Sequence, residues 1–369
     1  MEQECGFMVC VRCMTYNHAS YIENTMNGFC MQETTFPFVC VIVDDSSTDG
    51  EQEVIREYLQ EHFDMENESI VRNEETEDYY LTFAQHKKNK NCHFAVFFLK
   101  YNHYSIKKSK MPYIEEWTDC KYTALCEGDD WWTHSNKIQM QVDFLENHLD
   151  YVLCFGDAKR IDTDNQKMRG SINQLSRRQN KNETSSKEER FYRVLNGYYH
   201  IQTLTVLYRT NALKNRPQQK YSFMMGDTNL WLHLSQQGNF HYFEDTLGVY
   251  NLHQGSASHS MSSGARFALS MFEMRCYYCD EYGYAIPDSV KKRYNRALIN
   301  INMLQKEIAP PIYKPFYINR LQWMVLSAIL RKGRFYKFYR KIVFPIRRRL
   351  IFLESRINLA KRLILNRLM

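Results

Sequence analysis

An α/β fold built around a mostly parallel sheet is what this sequence predicts, and three observations carry the expectation. Apolar runs of strand length alternate with stretches of helical pattern, the signature of βαβ units. The early runs, "FMVCVRCMTY" (7–16) and "FVCVIVDD" (38–45), are apolar at nearly every position, as in strands covered on both faces. Two runs, "VIVDD" and "ALCEGDD", finish at their carboxyl ends in acids, where open α/β sheets bind their ligands.

Taken in order, residues 7–16 read as a buried strand. "HASYIENTMNGFCMQ" (18–32) reads as a helix capped near Asn17 or Ser20. After the strand at 38–45, "STDGEQEVIREYLQEHF" starts a helix with Ser or Thr capping and acids in the first turn. Residues 64–120 are less regular, polar and Lys-rich around one apolar strand, "FAVFFL". "KYTALCEGDDWW" (121–132) is another apolar strand ending in acids, "NKIQMQVDFLENH" a helix, and "DYVLCFGDAKRID" a strand with a turn. Residues 160–190 are polar and turn-rich, a surface loop. "IQTLTVLYRTNAL" reads as strand then helix, and "GDTNLWLHLSQQG" as a helix closed by Gly238. Residues 265–282 and 289–306 form two further helices, and no internal repeat is present.

Composition sets the class. A hydrophobic fraction of 44% and an aromatic fraction of 14% support a packed core and argue against disorder. Eleven cysteines lie mostly inside apolar runs (Cys10, Cys40, Cys126, Cys154), a usage suited to a reducing compartment. Cys276 and Cys279 form a lone C-x-x-C with no second pair at zinc spacing. The N-terminus has acids before its apolar stretch and no basic region, unlike a signal peptide. The longest apolar runs, such as "WMVLSAIL", fall short of the roughly 20 residues a membrane span needs. The expectation is a cytoplasmic chain.

The formal charge of +6 conceals a split. From Arg320 onward there are 14 Lys or Arg against one acid, Glu354, so this tail is +13 and the remainder −7. Within it, Ile346, Leu350, Leu353, Ile357, Ala360, Ile364 and Leu368 recur at spacings of three or four, one apolar stripe of a helix. Upstream, "LRKGRFYKFYRK" interleaves bases with Phe335, Tyr336, Phe338 and Tyr339. A cationic amphipathic helix of this kind suits an anionic membrane surface. Packing of the stripe on the protein's own body or on a second subunit is the other reading.

Burying Asp44 and Asp45 at a strand tip is costly unless something there needs carboxylates. Such groups hydrogen-bond a nucleotide's base and ribose, or hold a divalent cation against a diphosphate. Each stretch also has a plain structural reading: Asp-Asp-Ser-Ser is a helix N-cap, and the Gly-Asp-Asp before Trp131 and Trp132 is a turn.

Four ordered motifs, "TYNHASYIENTMNGFCMQ", "VIVDDSSTDGEQEVIREY", "YTALCEGDDWW" and "MGDTNLWLHL...YNLHQGS", resemble those of family 2 glycosyltransferases of the Rossmann-like GT-A fold, over residues 7 to about 256. The resemblance implies that Thr15, Tyr16, Asp44 and Asp45 hold the nucleotide. It sets Glu127-Gly128-Asp129 on the family's Asp-X-Asp element, with Asp129 holding Mn²⁺ or Mg²⁺ and Asp130 acting beside it or orienting the turn. It puts the catalytic base on Asp227 and a metal- or diphosphate-reaching histidine on His253. Glu127 replaces the commoner first Asp, and residues 73–120 match no motif of the family. Without the resemblance, Asp227 reads equally as a helix N-cap and His253 as a structural histidine.

The implied reaction moves a sugar from a nucleotide-diphosphate sugar to an acceptor hydroxyl with inversion. One carboxylate serves as general base, and a cation stabilises the departing diphosphate. Cell-surface glycan assembly is the family's common setting, with a glycan or lipid-linked acceptor. The expected layout is a transferase domain over 1–260, a helical extension over 261–330 and a basic amphipathic tail over 331–369, peripheral at the inner face of the membrane. A sugar nucleotidyltransferase is the nearest other enzyme, but its Gly-rich basic loop is replaced here by "RCMTYNHASY". A nucleic-acid-binding role for the tail is disfavoured by its apolar residues and by the acidic main body.

Overall fold

The computed structural model describes residues 6–117, 119–163, 167–171, 185–214, 216–218, 220–224, 226–253, 264–304 and 311–316. In chain order these begin with β1 (Val9–Thr15), α1 (Ile22–Cys30), β2 (Phe38–Asp44), α2 (Glu51–His62), β3 (Arg72–Glu75), β4 (Tyr79–Gln85) and β5 (Cys92–Leu99). There follow α3 (Met111–Ile114), β6 (Tyr122–Leu125), β7 (Trp131–Trp132), α4 (Lys137–Asn147), β8 (Tyr151–Asp162) and β9 (Lys167–Ser171). The remainder comprises α5 (Lys187–Leu195), β10 (Leu207–Arg209), α6 (Gly226–Leu234), β11 (Asn239–Leu252), α7 (Gly264–Glu281) and α8 (Asp288–Leu304).

All eleven strands join one sheet in the order β3-β4-β5-β2-β1-β6-β10-β8-β11-β7, with β9 beside β8. The centre is uniformly apolar because both faces are covered. One face of β1, β2 and β5 (Val9, Val11, Cys13, Phe38, Cys40, Ile42, Phe94, Val96) packs with Ile22, Met26 and Phe29 of α1, Ile55 and Leu59 of α2, and Ile138 and Val142 of α4. The opposite face (Cys10, Val39, Val41, Val43, Ala95, Phe97) packs with Ile114, Trp117 and Cys120. Parallel register pairs Thr15 with Asp44 and Arg12 with Leu125. The carboxyl ends of β1, β2 and β6 are thereby brought to one edge.

The α/β class holds, but the sheet is mixed rather than mostly parallel. β1, β2, β5 and β6 run parallel, whereas β10 lies antiparallel between β6 and β8, and β3 and β4 add an antiparallel edge. The β3–β4 hairpin falls in the stretch read as irregular. β3 is largely exposed and shows no apolar pattern, as an edge strand should not.

Residues 151–162 form one strand without a turn. Gly156 lies inside β8, where a Cβ would meet Leu247 Cδ1 of β11 at 2.6 Å, so the glycine serves close packing and not a turn. The loop expected at 160–190 holds β9 and the start of α5 among its described residues. The helix expected at 18–32 starts at Ile22, after a turn in which the His18 carbonyl accepts from the N–H groups of Tyr21 and Ile22. Neither Asn17 nor Ser20 caps it, and no Ser or Thr caps α2, which is preceded by Gly50 in a left-handed conformation (φ 92°). The helix expected after "VLYR" is a single 3₁₀ turn, Thr210–Leu213.

The chain divides into two compact units, Met1–Gln219 with Asp227–His259, and Lys220–Gly226 with Ser260–Met369. In the second, α7 packs on α8, and Leu269, Phe272 and Cys276 of α7 and Tyr294 and Leu298 of α8 are buried. Cys276 and Cys279 are buried free thiols of α7. Among the described residues no helix is long and apolar enough to cross a membrane. The basic tail lies outside the described residues.

Candidate active site

The site is built on the two loops that leave β1 and β2. Asp44 ends β2 with no exposed surface. Its Oδ1 accepts from the Ser47 N–H at 3.2 Å and from Gln52 Nε2, whereas its buried Oδ2 accepts no hydrogen bond among the described residues. Burial pushes its carboxyl pKa upward, against the pull of Ser47 and Gln52.

Asp45 is used differently. Its Oδ1 accepts from the His103 N–H at 2.7 Å, and its Oδ2 from the Tyr104 N–H at 3.1 Å and from Lys110 Nζ at 2.7 Å. It therefore fastens residues 102–110 over the end of the sheet. Tyr16, just past the end of β1, is exposed.

A carboxylate read in the sequence only as a first-turn acid closes this corner. Glu51 of α2 is fully buried. It accepts from Thr15 Oγ1, from the His18 N–H at 2.8 Å and from Ser47 Oγ at 2.8 Å. Burial raises its pKa to about 7 despite those donors. Thr15 Oγ1 also lies 3.1 Å from His18 Nδ1. Asn17 adds a second tie, its N–H donating to Ser47 Oγ and its Oδ1 accepting from the Thr48 N–H, each at 2.8 Å.

The turn after β6 comes down onto this corner. The Gly128 N–H donates to the Met14 carbonyl at 3.1 Å. A Cβ at Gly128 would stand 2.1 Å from Thr15 Oγ1 and 2.5 Å from Thr15 Cβ, so only glycine permits the approach. Asp130 is buried, and its Oδ1 accepts from the Asn251 N–H of β11 at 2.9 Å. Thr25 of α1 donates to the carbonyls of Gly128 and Asp130, at 3.0 and 2.6 Å. Asp130 thus orients the turn, and burial raises its pKa well above the usual carboxylate range, with Asp129 and Glu127 adding to the effect.

Asp129 reaches the site itself. His253, just past β11, sets Nε2 2.9 Å from Asp129 Oδ2, and His18 Nε2 lies 3.8 Å from the same oxygen. The three ligand atoms all fall within 4.8 Å of one another. The His18 and His253 rings meet edge to face at 5.8 Å, with Tyr21 against His253 at 5.0 Å. Burial lowers the pKa of His18, with Asp129 pulling the other way.

Glu127 is exposed to solvent as a residue, yet the protein crowded around its carboxyl group raises its pKa, as do Asp129 and Asp227. Asp227 is the exposed second residue of α6, and its Oδ1 accepts from the Thr228 N–H at 2.6 Å. Its charge is close enough to act on Glu127.

Residues 10–80 match the family model described as glycosyl transferase family 2, the stretch that carries β1, the acid loop and Glu51. The match is confined to this N-terminal part of the chain. The mixed sheet carries the acid turn after β6, and helices follow on the C-terminal side. The uncharacterized protein Rv1520 of Mycobacterium tuberculosis is 29% identical over 154 residues, covering 42% of this chain and 36% of that relative. The chain therefore spans about a third of the length of the curated relatives it matches. Among solved structures, Staphylococcus aureus TarS is 14% identical over 89% of this chain and 50% of that one, with a TM-score of 0.44. The mannosyltransferase PcManGT of Pyrobaculum calidifontis, in complex with GDP-Man and Mn²⁺, is 11% identical over 88% and 85%, with a TM-score of 0.45.

Proposed function

We propose that this chain is a family 2 glycosyltransferase of the GT-A type, which transfers a sugar from a nucleotide-diphosphate sugar to an acceptor hydroxyl with inversion, in the assembly of a cell-surface glycan. The observation that carries the reading is the meeting of Asp44, Glu127, Asp129 and His253 along one edge of the sheet, with the exposed Asp227 close enough to act on Glu127. Asp44 Oδ2 is a buried acceptor without a donor, a cost that a base or ribose donor would remove. Tyr16 offers an exposed ring for stacking on the base, while Thr15 and Asp45 hold the walls.

The donor set of Asp129 and His253, a carboxylate and an imidazole, fits a divalent cation such as Mn²⁺ or Mg²⁺. When bound, such an ion supplies positive charge against the departing diphosphate. Glu127 supports the same turn from its exposed rim, and Asp130 keeps the turn in place by its bond to Asn251. Asp227, with Oδ1 held by Thr228, uses Oδ2 to take the proton from the acceptor hydroxyl.

The transferase part is assigned to residues 1–260, with a helical extension to 330 and an anchoring tail at 331–369 that serves a lipid-linked or glycan acceptor at the inner membrane face. A screen of nucleotide sugars for Mn²⁺-dependent thermal stabilisation, followed by transfer assays with the stabilising donors, tests the reading. No stabilisation and no turnover by any nucleoside-diphosphate sugar overturns it.

A further inference from the structure

His18 lies outside the Asp-X-Asp turn and the β11 histidine, yet its imidazole is aimed at the same carboxylate oxygen. The reason is visible in its other nitrogen. Thr15 Oγ1 gives its own proton to Glu51 Oε1 and so acts as an acceptor toward His18 Nδ1, 3.1 Å away. That bond places the ring proton on Nδ1 and leaves a lone pair on Nε2 facing Asp129 Oδ2 at 3.8 Å. Two acceptors facing each other across that gap repel unless a cation stands between them. The backbone N–H of His18 is held by Glu51 as well, so the same carboxylate fixes the main chain from which the ring projects.

We infer that His18 is a third protein ligand of the metal, positioned by the buried Thr15–Glu51 pair, and that the resulting two-imidazole, one-carboxylate set prefers first-row transition ions to Mg²⁺. Ligand bonds of about 2.1 Å put neighbouring ligand atoms of an octahedron about 3 Å apart. The observed 2.9 and 3.8 Å, with all three atoms within 4.8 Å, come close to one face of that octahedron. The opposite face is left to diphosphate oxygens and water. Imidazole nitrogen suits Co²⁺, Fe²⁺ and Zn²⁺ better than Mg²⁺, which favours oxygen donors. The pattern of an outer hydroxyl and carboxylate fixing the tautomer of a ligating histidine is the usual one around protein metals.

The inference deepens the transferase reading of this site, but it is tested by metal alone. The full chain is titrated calorimetrically with Co²⁺, Mn²⁺ and Mg²⁺ without nucleotide, and the visible Co²⁺ spectrum is recorded. Wild-type protein should bind Co²⁺ at least tenfold more tightly than Mg²⁺. His18→Ala and His18→Gln should each lower Co²⁺ affinity at least tenfold, change the spectrum and narrow the preference over Mg²⁺. Thr15→Val should lower Co²⁺ affinity in the range of about 10- to 100-fold, and Thr15→Ser should restore it. Co²⁺ affinity within twofold of wild type in both folded His18 variants overturns the inference and leaves the transferase reading intact. So does a wild-type chain that binds neither Co²⁺ nor Mn²⁺ yet still transfers sugar. His18-dependent Co²⁺ binding in a chain that turns over no nucleotide sugar supports the inference and defeats the transferase reading instead.

Discussion

His253 Nε2 lies 2.9 Å from Asp129 Oδ2 although 124 residues separate the two in the chain. β11 brings this about, since Gly248 and Val249 pair with Trp132 and Trp131, and the Asn251 N–H holds Asp130. The β6 turn and the end of β11 are therefore one rigid piece. Asp129→Asn should leave that piece folded while abolishing Mn²⁺-dependent binding of a nucleoside diphosphate, because a neutral amide cannot replace an anionic ligand. His253→Ala should weaken the same binding by less. Calorimetry with and without Mn²⁺ measures both, and an unchanged Mn²⁺ dependence in Asp129→Asn removes this carboxylate from the metal site.

Asp227 separates chemistry from binding. It is exposed at the start of α6. Asp227→Asn should keep donor affinity within a few-fold and cut transfer by roughly two to four orders of magnitude, the range for loss of a general base. Transfer near the wild-type rate would reduce Asp227 to a helix-terminal residue.

Much of this corner was legible in the sequence, and the physics says which part. Strands buried on both faces announce themselves by unbroken apolar runs, so β1, β2 and β6 stand where expected, and the ends of β2 and β6 locate Asp44 and Asp129. Glu51 and His18 were not legible as members of the site. Glu51 carries the ordinary pattern of a first-turn helix acid, and only donors 33 and 36 residues away turn it inward. The β3–β4 hairpin escaped because an edge strand needs few apolar side chains. β10 escaped the parallel expectation because three residues, Leu207–Arg209, are too few to show a direction.

Gly128 is the contact on which the two halves of the corner close. Gly128→Ala puts a methyl group within 2.5 Å of Thr15 Cβ, a backbone-fixed atom that cannot swing away. The turn must lift, at a cost of about 1–3 kcal/mol for such overpacking. Urea denaturation should register that loss, and nucleotide affinity should fall with it as Asp129 moves off His253. A variant with wild-type stability would mean that the turn floats free of β1.

The tail prediction rests on sequence pattern, since its residues lie outside the described part. Each base near an anionic surface adds on the order of 1 kcal/mol of attraction. Deleting residues 331–369 should shift the protein from the pellet to the supernatant in sedimentation with anionic liposomes at low salt, with nucleotide binding retained. A full-length chain that ignores such liposomes excludes the membrane role and leaves the apolar stripe to a protein partner.

Lys137, at the first position of α4, bears on stability rather than catalysis. It is fully buried, with Nζ donating to Gln141 Oε1 at 2.8 Å and standing 4.2 Å over the Trp132 ring. Burial lowers its pKa to about 7, well below the ordinary lysine value. The sign follows from proton binding. Between pH 7 and about 10 the unfolded chain holds this proton and the folded chain has lost it, so raising the pH stabilises the fold. Below pH 7 both states carry the proton, the slope vanishes, and the penalty for burying the charge stays at its full value.

Methionine matches the length of lysine without the charge. Lys137→Met should therefore be more stable than wild type at pH 6–7, on the order of a few kcal/mol. About 1 kcal/mol of that gain is offset by the lost bond to Gln141, whose Nε2 keeps its own bond to the Thr205 carbonyl at 2.8 Å. The difference between the two proteins should shrink steadily as the pH rises toward 10. Urea midpoints at pH 6, 7, 8 and 9 measure it, and a difference that does not change with pH would show that Lys137 keeps an ordinary pKa in the core.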